Sequence, residues 1–468
     1  MASSMISSLR FGKERQNEPT PCAPRFCFKQ VAGEIRPYLP IWRFGMFRSI
    51  LTVLSGSVIA QIIAVAVLPI LTRLYDAEAF GRYQIYISIL NVAVMFVAFR
   101  YEVALLGARP GRVFENLLKL TFRLCIWTSM VAFIVAGAVN FLVPGVLSSL
   151  HGIVFFLPVA MAVAGIYQML TFLPIRDRNY GLSARSKILQ SVGFSFGALG
   201  FAFLPVIGVG LVLADVFGRA FGAISILVES GKLWRTLISP LSFSEMKFTA
   251  IRFQKFGLLT FPGTLLSSLS AAVAPFAFLA LFNLEVAGQY SLLERFILMP
   301  VGVIGAAVSQ VFTGELSKLY RTDKEGLNRA FRRSLFQLLA IGLLPTVLGM
   351  ILSPRLVPLI FGADWTMAGK LCVIGFPVAY IRFVATALTM TLVVIDRQSL
   401  QFTWEICRFL FTLCVFGWLG WVGVDNPTTV MVWYALATAI TYAIHLVLAD
   451  RATRMVSLRA TENGKTIL

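Results

Sequence analysis

Long apolar blocks alternate with short connections along this sequence, and the positive charges occupy every second connection. We count about twelve blocks between residues 47 and 449, each long enough to cross a hydrocarbon core of ~30 Å. Thirty-two of the 41 Lys and Arg residues lie in the termini, or in and beside the connections that follow even-numbered blocks. Four lie around the connections after odd-numbered blocks: Arg73, Arg82, Arg355 and Lys370. This asymmetry predicts a multi-spanning membrane protein with both termini in the cytoplasm.

The composition supports an all-α integral membrane protein. The chain is 58% hydrophobic and 13% charged, with a mean hydropathy of +0.81. Soluble domains carry about a quarter charged residues. The net charge of +19 is explained by loop cations that face an anionic cytoplasmic leaflet. We therefore expect an inner-membrane protein whose surroundings are the lipid bilayer, with no nucleic-acid partner.

The chain divides into five predicted segments. The first 45 residues are polar and basic and lack the apolar core of a signal peptide. They predict a disordered cytoplasmic tail, unless translation starts at Met46. Residues 231–255 form a predicted cytoplasmic loop between the two lobes. This loop has the aromatic and basic residues of an amphipathic helix that lies on the membrane surface. The segments are a tail (1–46), a six-helix lobe (47–230), a cytoplasmic loop (231–255), a second six-helix lobe (256–449) and a cytoplasmic tail (450–468).

One internal repeat links the two halves. The segment from Leu74 to Tyr83 resembles the segment from Leu281 to Tyr290, at an offset of 207 residues. Leu, Glu, Gly and Tyr match identically, and Asp76 matches Asn283 in kind. Six spans separate the copies, so the halves share one orientation in the membrane. Two such lobes around a central cavity are the architecture of an alternating-access transporter.

Charged residues inside spans are costly and mark functional candidates. Two pairs have the three- or four-residue spacing of partners on one helix face. Each pair is therefore equally consistent with a structural ion pair, in which the two charges satisfy each other, and with part of a functional site. These pairs are Asp215 with Arg219, and Glu405 with Arg408.

The remaining intramembrane charges are predicted to need partners elsewhere. Arg100 and Glu102 would point roughly 200° apart on a helix, and both lie near a span end, where they could also snorkel to the interface. Glu294 and Arg295 are adjacent in sequence, and Arg382 has no acid in its own span. Arg295 and Arg382 are the best candidates for lining a wet, positive cavity. The alternative is a buried tie between helices.

Proline and glycine interrupt the first span of each half. Gly56 and Pro69 lie in span one, and Pro262, Gly263 and Pro275 lie in span seven. Such residues free backbone groups, often beside a cavity, and we predict that these spans bend during transport. The alternative for the small residues is close helix packing.

The sequence offers no sign of enzymatic chemistry. It contains no P-loop, no zinc motif and no glycine-rich phosphate loop. Six cysteines and two histidines show no metal-ligand spacing. We therefore predict a protein that is not an enzyme and that needs no metal and no cofactor.

Several short motifs carry a family resemblance. They are Leu54–Gln61, Leu71–Tyr75, Phe99–Ala104, Ala287–Leu292, Leu359–Trp365 and Asp396–Gln398. They resemble the bacterial polysaccharide transporter family, the O-antigen and exopolysaccharide flippases of the multidrug/oligosaccharidyl-lipid/polysaccharide exporter superfamily. The resemblance implies two six-helix lobes around a central cavity lined by basic residues. It implies flipping of an undecaprenyl-pyrophosphate-linked oligosaccharide for cell-surface polysaccharide or lipopolysaccharide synthesis, with a polymerase and chain-length machinery as possible partners. The resemblance also implies a location in the bacterial cytoplasmic (inner) membrane.

Two other functions fit the same spans less well. An ion-coupled drug exporter of the same superfamily would favour an acidic cavity, whereas Asp215, Glu294 and Glu405 each have an arginine within four residues. A membrane glycan polymerase or ligase needs large outward loops that carry catalytic acids or arginines. The outward loops here are short.

Overall fold

The computed structural model describes residues 44–142, 153–203, 209–231 and 233–465. Within these ranges the regular structure is entirely helical. The predicted tail, residues 1–46, lies outside the described residues except for its last three, which open the first helix. The helices are α1 (Phe44–Leu74), α2 (Ala77–Val97), α3 (Tyr101–Ala104), α4 (Arg112–Leu142), α5 (Ile153–Arg176), α6 (Tyr180–Phe201), α7 (Gly210–Glu229), α8 (Leu233–Ile238), α9 (Phe243–Leu281), α10 (Leu284–Leu293), α11 (Met299–Thr322), α12 (Leu327–Phe361), α13 (Thr366–Leu388), α14 (Thr391–Val394), α15 (Gln398–Val422) and α16 (Pro427–Lys465).

Eleven helical segments of the described chain are long and apolar enough to cross a membrane. They correspond to all the predicted spans except the fifth, so the prediction of an all-α membrane protein is confirmed. The fifth span is α6, which is long enough but carries many serines and glycines and also Lys187. Two of its polar side chains bond to the neighbouring α1, because Lys187 Nζ donates to Ser57 Oγ at 2.8 Å and Ser191 Oγ donates to the Ala60 carbonyl.

The internal repeat forms the beginnings of α2 and α10. Asp76 Oδ1 accepts a hydrogen bond from the Ala79 amide at 2.8 Å. Asn283, its counterpart, accepts one from the Val286 amide at 2.9 Å. Both residues therefore cap a helix start, where Asp and Asn are favoured, which explains why this repeat position tolerates either side chain.

The connecting segment 231–255 differs from the prediction of a separate surface helix. After the short α8, helix α9 begins at Phe243 and continues unbroken to Leu281, so the segment extends span seven. Ser242 and Glu245 form a reciprocal capping box at its start. The hydrogen bonds from Ser242 lower the pKa of the Glu245 carboxyl. Helical continuity arises because no proline interrupts the chain between Phe243 and Pro262.

The predicted C-terminal tail, residues 450–468, is helical as far as it is described. Helix α16 continues from the last span to Lys465. Asp450 Oδ1 accepts a hydrogen bond from Arg332 Nε at 2.7 Å and another from Asn328 Nδ2 at 3.1 Å. These bonds tie the end of α16 to the start of α12.

The two ends of the helical bundle differ in charge. The basic end carries the connections rich in Lys and Arg, and the neutral end carries the turns between α1 and α2 and between α9 and α10. We use the term N-terminal lobe for helices α1–α7 and C-terminal lobe for α9–α16, following the division that the sequence predicts. The lobes meet mainly where α2 crosses α10, while α9 also packs against α2, α3 and α4.

Candidate functional site: a polar belt between the lobes

Seven of the nine predicted charged residues lie in one connected group at mid-helix positions, which we call the polar belt. Helices from both lobes contribute to it. Its charged members are joined by a glutamine and five tyrosines. The polar belt consists of Asp215, Arg219, Glu294, Arg295, Arg382, Glu405 and Arg408, with Tyr83, Gln84, Tyr86, Tyr290, Tyr434 and Tyr442.

On the N-terminal lobe, the predicted pair on α7 is confirmed. Arg219 Nε donates to Asp215 Oδ2 at 2.8 Å. The hydroxyl of Tyr86 on α2 also donates to Asp215 Oδ2, at 3.4 Å. Asp215 is buried, and a buried carboxylate needs such partners. Its charge is therefore satisfied within the lobe.

Glu294 and Arg295 have separate partners, as predicted. Gln84 Nε2 on α2 donates to Glu294 Oε2 at 2.7 Å, which is a hydrogen bond across the lobes. The Arg295 guanidinium lies over the ring of Tyr83, 4.2 Å from its centre, in a cation–π contact. Arg295 Nε also donates to Ser291 Oγ at 3.3 Å. Both residues therefore link the C-terminal lobe to α2.

A widened turn carries these two residues. Residues 294–298 form a π-helix between α10 and α11, in which the Met299 amide bonds the Glu294 carbonyl. Pro300 provides the local cause, because it has no N–H to offer Phe296 and its ring crowds that carbonyl. Single π-turns inside helices occur frequently at functional sites.

Arg382 on α13 lacks an ion pair within the described part of the chain. It lies in electrostatic range of Glu294 and of three phenol groups of the C-terminal lobe, those of Tyr290, Tyr434 and Tyr442. Arg382 as a whole residue is half-buried. The N–H groups of the Arg382 guanidinium are therefore not paired with a described carboxylate.

The predicted pair on α15 is also confirmed. Arg408 Nη2 donates to Glu405 Oε2 at 2.6 Å, and its Nη1 donates to the Tyr442 hydroxyl at 3.0 Å. The guanidinium carbon also lies 5.0 Å from the centre of the Trp404 ring. The charge of Arg408 is thus paired inside the C-terminal lobe, although its buried Nε has no hydrogen-bond partner among the described residues.

The charges of the polar belt do not cancel. It holds four arginines and three carboxylates, and two pairs neutralise themselves. Arg295, Arg382 and Glu294 remain, with a net charge of +1, and the arginines among them form no ion pair with a described carboxylate. A surplus cation at membrane depth is expensive unless it serves a ligand or faces water.

Arg100 and Glu102 lie outside the polar belt, and the expectation that they cannot satisfy each other is wrong. Helix α2 ends at Val97, and Phe99 and Arg100 adopt left-handed backbone angles, φ 46° and 63°. The helical angle therefore does not apply, and Arg100 Nη1 bonds Glu102 Oε1 at 3.2 Å. Gln168 donates to the same oxygen. Burial raises the pKa of the Glu102 carboxyl, and Arg100 opposes this shift.

The lobes touch most closely one helical turn from the polar belt. A Cβ atom on Gly81 would overlap the Leu284 carbonyl, and one on Gly288 would overlap the Ala77 carbonyl. These positions are related by the same 207-residue offset, so the contact is a pseudo-twofold crossing of α2 and α10. The ring of Trp365 packs edge-on against Phe80 beside this crossing. The neutral end of the lobe interface is therefore closed by backbone contact.

The hinge candidates differ in their surroundings. A Cβ on Gly56 would overlap Ala184 of α6, so this glycine permits close helix packing. Gly263 has open space around it. Pro262 and Pro275 lie inside the continuous α9 and Pro69 lies inside α1. Bending at these positions stays a prediction.

We expect Pro262→Ala with Gly263→Ala to slow transport while the protein still inserts and folds. Alanine restores a backbone N–H and stiffens α9, and the space beside Gly263 accepts the new methyl group. Transport activity and membrane abundance are measured in the same cells. Full activity of this double variant would remove α9 as a bending element.

The tyrosines and Gln84 were not among the sequence candidates. The repeat could have indicated two of these tyrosines, because Tyr83 and Tyr290 are identical residues at equivalent positions of its two copies. In the structure Tyr83 lies beneath Arg295, and Tyr290 lies near Arg382. Each surplus arginine thus has one repeat-related tyrosine.

A cavity of about 330 Å³ lies at the basic end of the C-terminal lobe, between α11 and the segment around α14. It does not lie between the lobes, and the central cavity stays a prediction. The lining residues are Ser317, Tyr320, Arg321, Val393, Val394 and Asp396.

Comparison with known proteins identifies the family. Residues 70–370 match the family described as "Polysaccharide biosynthesis protein". The chain belongs to this family. The match covers well over half of the chain and includes the repeat, the π-turn and Arg219 and Arg295. No curated protein matches the sequence.

Solved structures of transporters share the fold at low sequence identity. An inward-facing multidrug resistance MATE family transporter of the MOP superfamily has 14% identity and a TM-score of 0.59, over 86% of this chain and 95% of that one. The lipid II flippase MurJ in an inward closed conformation has 14% identity and a TM-score of 0.59, over 88% and 89%. A MOP superfamily transporter from Pyrococcus furiosus has 13% identity and a TM-score of 0.59, over 87% and 96%. This family member is thus a multi-pass membrane protein with a transporter fold.

Proposed function

We propose that this polysaccharide biosynthesis protein flips a polyprenyl-pyrophosphate-linked oligosaccharide from the cytoplasmic to the outer leaflet of the bacterial inner membrane. The two lobes would expose the polar belt to each side in turn. Membership of the family and the fold shared with the lipid II flippase support this proposal. The positive-inside pattern supports an orientation with both termini in the cytoplasm.

The observation that carries the proposal is the pair of surplus arginines in the polar belt. A pyrophosphate headgroup is strongly anionic, and hydrocarbon excludes it. Guanidinium groups offer it paired, charge-assisted hydrogen bonds. Arg295 and Arg382 have this capacity available because they form no ion pair with a described carboxylate. Tyrosine rings beside them provide flat surfaces suited to sugar rings, while the polyprenyl chain can stay in lipid.

A drug exporter is the second candidate, and the specific observation for it is the fold shared with a multidrug transporter. Such a protein carries cationic or neutral drugs, for which carboxylates are the expected partners. Two of the three belt carboxylates are already paired with arginines at 2.8 and 2.6 Å. The surplus of positive charge favours an anionic cargo.

Depletion of the protein in its native cell tests the proposal. We expect the lipid-linked oligosaccharide to accumulate on the cytoplasmic face, where periplasmic glycosidases and lectins cannot reach it. Intact and permeabilised cells are compared to locate the pool. Accumulation of unpolymerised or unligated glycan on the outer face would instead indicate a polymerase or ligase. A normal glycan pool with loss of drug efflux would favour the exporter.

A further inference from the structure

Three charges in the polar belt lie close together without forming an ion pair. Glu294 lies in electrostatic range of both Arg382 and Arg295. Its hydrogen bond nevertheless goes to the neutral amide of Gln84, at 2.7 Å. A single carboxylate is therefore shared electrostatically by two guanidiniums, and an amide of the other lobe holds it in place.

Gln84 depends on this one bond. Its side chain is 2% exposed, and its Oε1 accepts no hydrogen bond from any residue that the structure describes. It lies one turn from Gly81, where α2 crosses α10. Loss of the bond to Glu294 would leave a buried amide unsatisfied, which costs about 1–3 kcal/mol. The bond therefore helps to hold the two lobes together at the neutral end.

The π-turn places Glu294 for this role. The turn begins at Glu294, directly after the segment of α10 that contacts α2. A widened turn shifts the residues that follow relative to the face of α10. The residues of α10 before the π-turn therefore contact α2, and the π-turn itself carries Arg295.

We propose that Glu294 is the resident counter-anion of Arg295 and Arg382, that the anionic headgroup of the substrate displaces it, and that its displacement releases Gln84 and opens the neutral end. This inference rests on the proposed function, because the displacing anion is the lipid pyrophosphate. The headgroup engages both guanidiniums and repels the neighbouring carboxylate. Glu294 is a positioning residue in this scheme, since it acts through the arginines and Gln84.

Replacement by glutamine separates charge from shape. The new amide in the Glu294→Gln variant keeps an oxygen that can accept from Gln84, but it neither competes for the arginines nor repels phosphate. Removing a nearby like charge shifts an ionic equilibrium by about tenfold or more. We therefore expect Glu294→Gln to bind the lipid about tenfold more tightly than wild type, and yet to stay closed.

The experiment uses the full-length protein in lipid nanodiscs, with undecaprenyl pyrophosphate as the probe. Binding isotherms give affinity, and hydrogen exchange of residues 77–83 and 284–290 reports the lobe contact. In wild type, the lipid should raise exchange in both segments. In Glu294→Gln the lipid should leave hydrogen exchange in both segments unchanged. Gln84→Ala should show raised exchange without lipid, and Glu229→Gln, which alters a surface carboxylate at the basic end, should match wild type.

Two results overturn the inference, and they differ in meaning. If Glu294→Gln binds no more tightly than wild type, or opens as wild type does, the counter-anion role is wrong while the proposed function stands. If wild type fails to bind undecaprenyl pyrophosphate at all, the proposed function fails and the inference falls with it.

Discussion

Arg295→Ala and Arg382→Ala should each reduce translocation of lipid-linked oligosaccharide by roughly ten- to hundredfold. Each substitution removes charge-assisted hydrogen bonds worth about 1.5–3 kcal/mol, and every 1.4 kcal/mol corresponds to about tenfold. Arg295→Lys and Arg382→Lys should retain part of the activity, because they keep the charge but lose the paired geometry. Rescue of surface polysaccharide in depleted cells measures the effect.

The control for these variants is Arg185→Ala. Arg185 pairs loosely with Glu229 at 3.4 Å on the surface of the basic end, and exposed pairs of this kind contribute little. It should rescue as wild type does, at equal membrane abundance. If both belt alanine variants also rescue fully, the surplus arginines do not carry the cargo.

Gly81→Ala and Gly288→Ala should each force the lobes apart at the neutral end and abolish most transport. The new methyl group would overlap a backbone carbonyl of the opposite helix, which no side-chain rotation can relieve. The distance between spin labels at Glu78→Cys and Glu285→Cys, in a background without the native cysteines, should increase. These two label sites are equivalent positions of the repeat.

Gly302→Ala provides the matched control, because this α11 glycine has open space where a Cβ would lie. It should leave both the label distance and transport unchanged. A wild-type distance in Gly81→Ala and Gly288→Ala would show that the crossing of α2 and α10 does not keep the neutral end closed.

Local patterns were enough to predict part of the site. The spacing of Asp215 with Arg219, and of Glu405 with Arg408, fixed both ion pairs, because neighbours on one helix face are set by helix geometry alone. The two copies of the repeat each begin a helix, and Asp76 and Asn283 are equivalent caps.

The features that the sequence did not reveal depend on backbone departures or on distant segments. Arg100 and Glu102 pair because left-handed residues end α2 early, which no helical wheel can anticipate. The partners of Glu294 and Arg295, Gln84 and Tyr83, come from 210 residues or more away along the chain. Such contacts follow from how the lobes meet. The aromatic and basic residues of segment 231–255 favoured a separate surface helix. Part of this segment instead belongs to the continuous helix α9, because no proline interrupts the chain after Phe243 until Pro262.

Movement of the purified cargo across a synthetic bilayer tests the central claim most directly. The full-length protein is reconstituted into vesicles whose inner and outer leaflets hold radiolabelled undecaprenyl-pyrophosphate oligosaccharide, and a glycosidase added outside reports the accessible fraction. The account predicts that wild-type protein makes nearly all of the label accessible, whereas the Arg295→Ala, Arg382→Ala double variant leaves the inner half protected. If the same fraction of the label stays protected in vesicles with wild-type protein and in vesicles without protein, the account is contradicted.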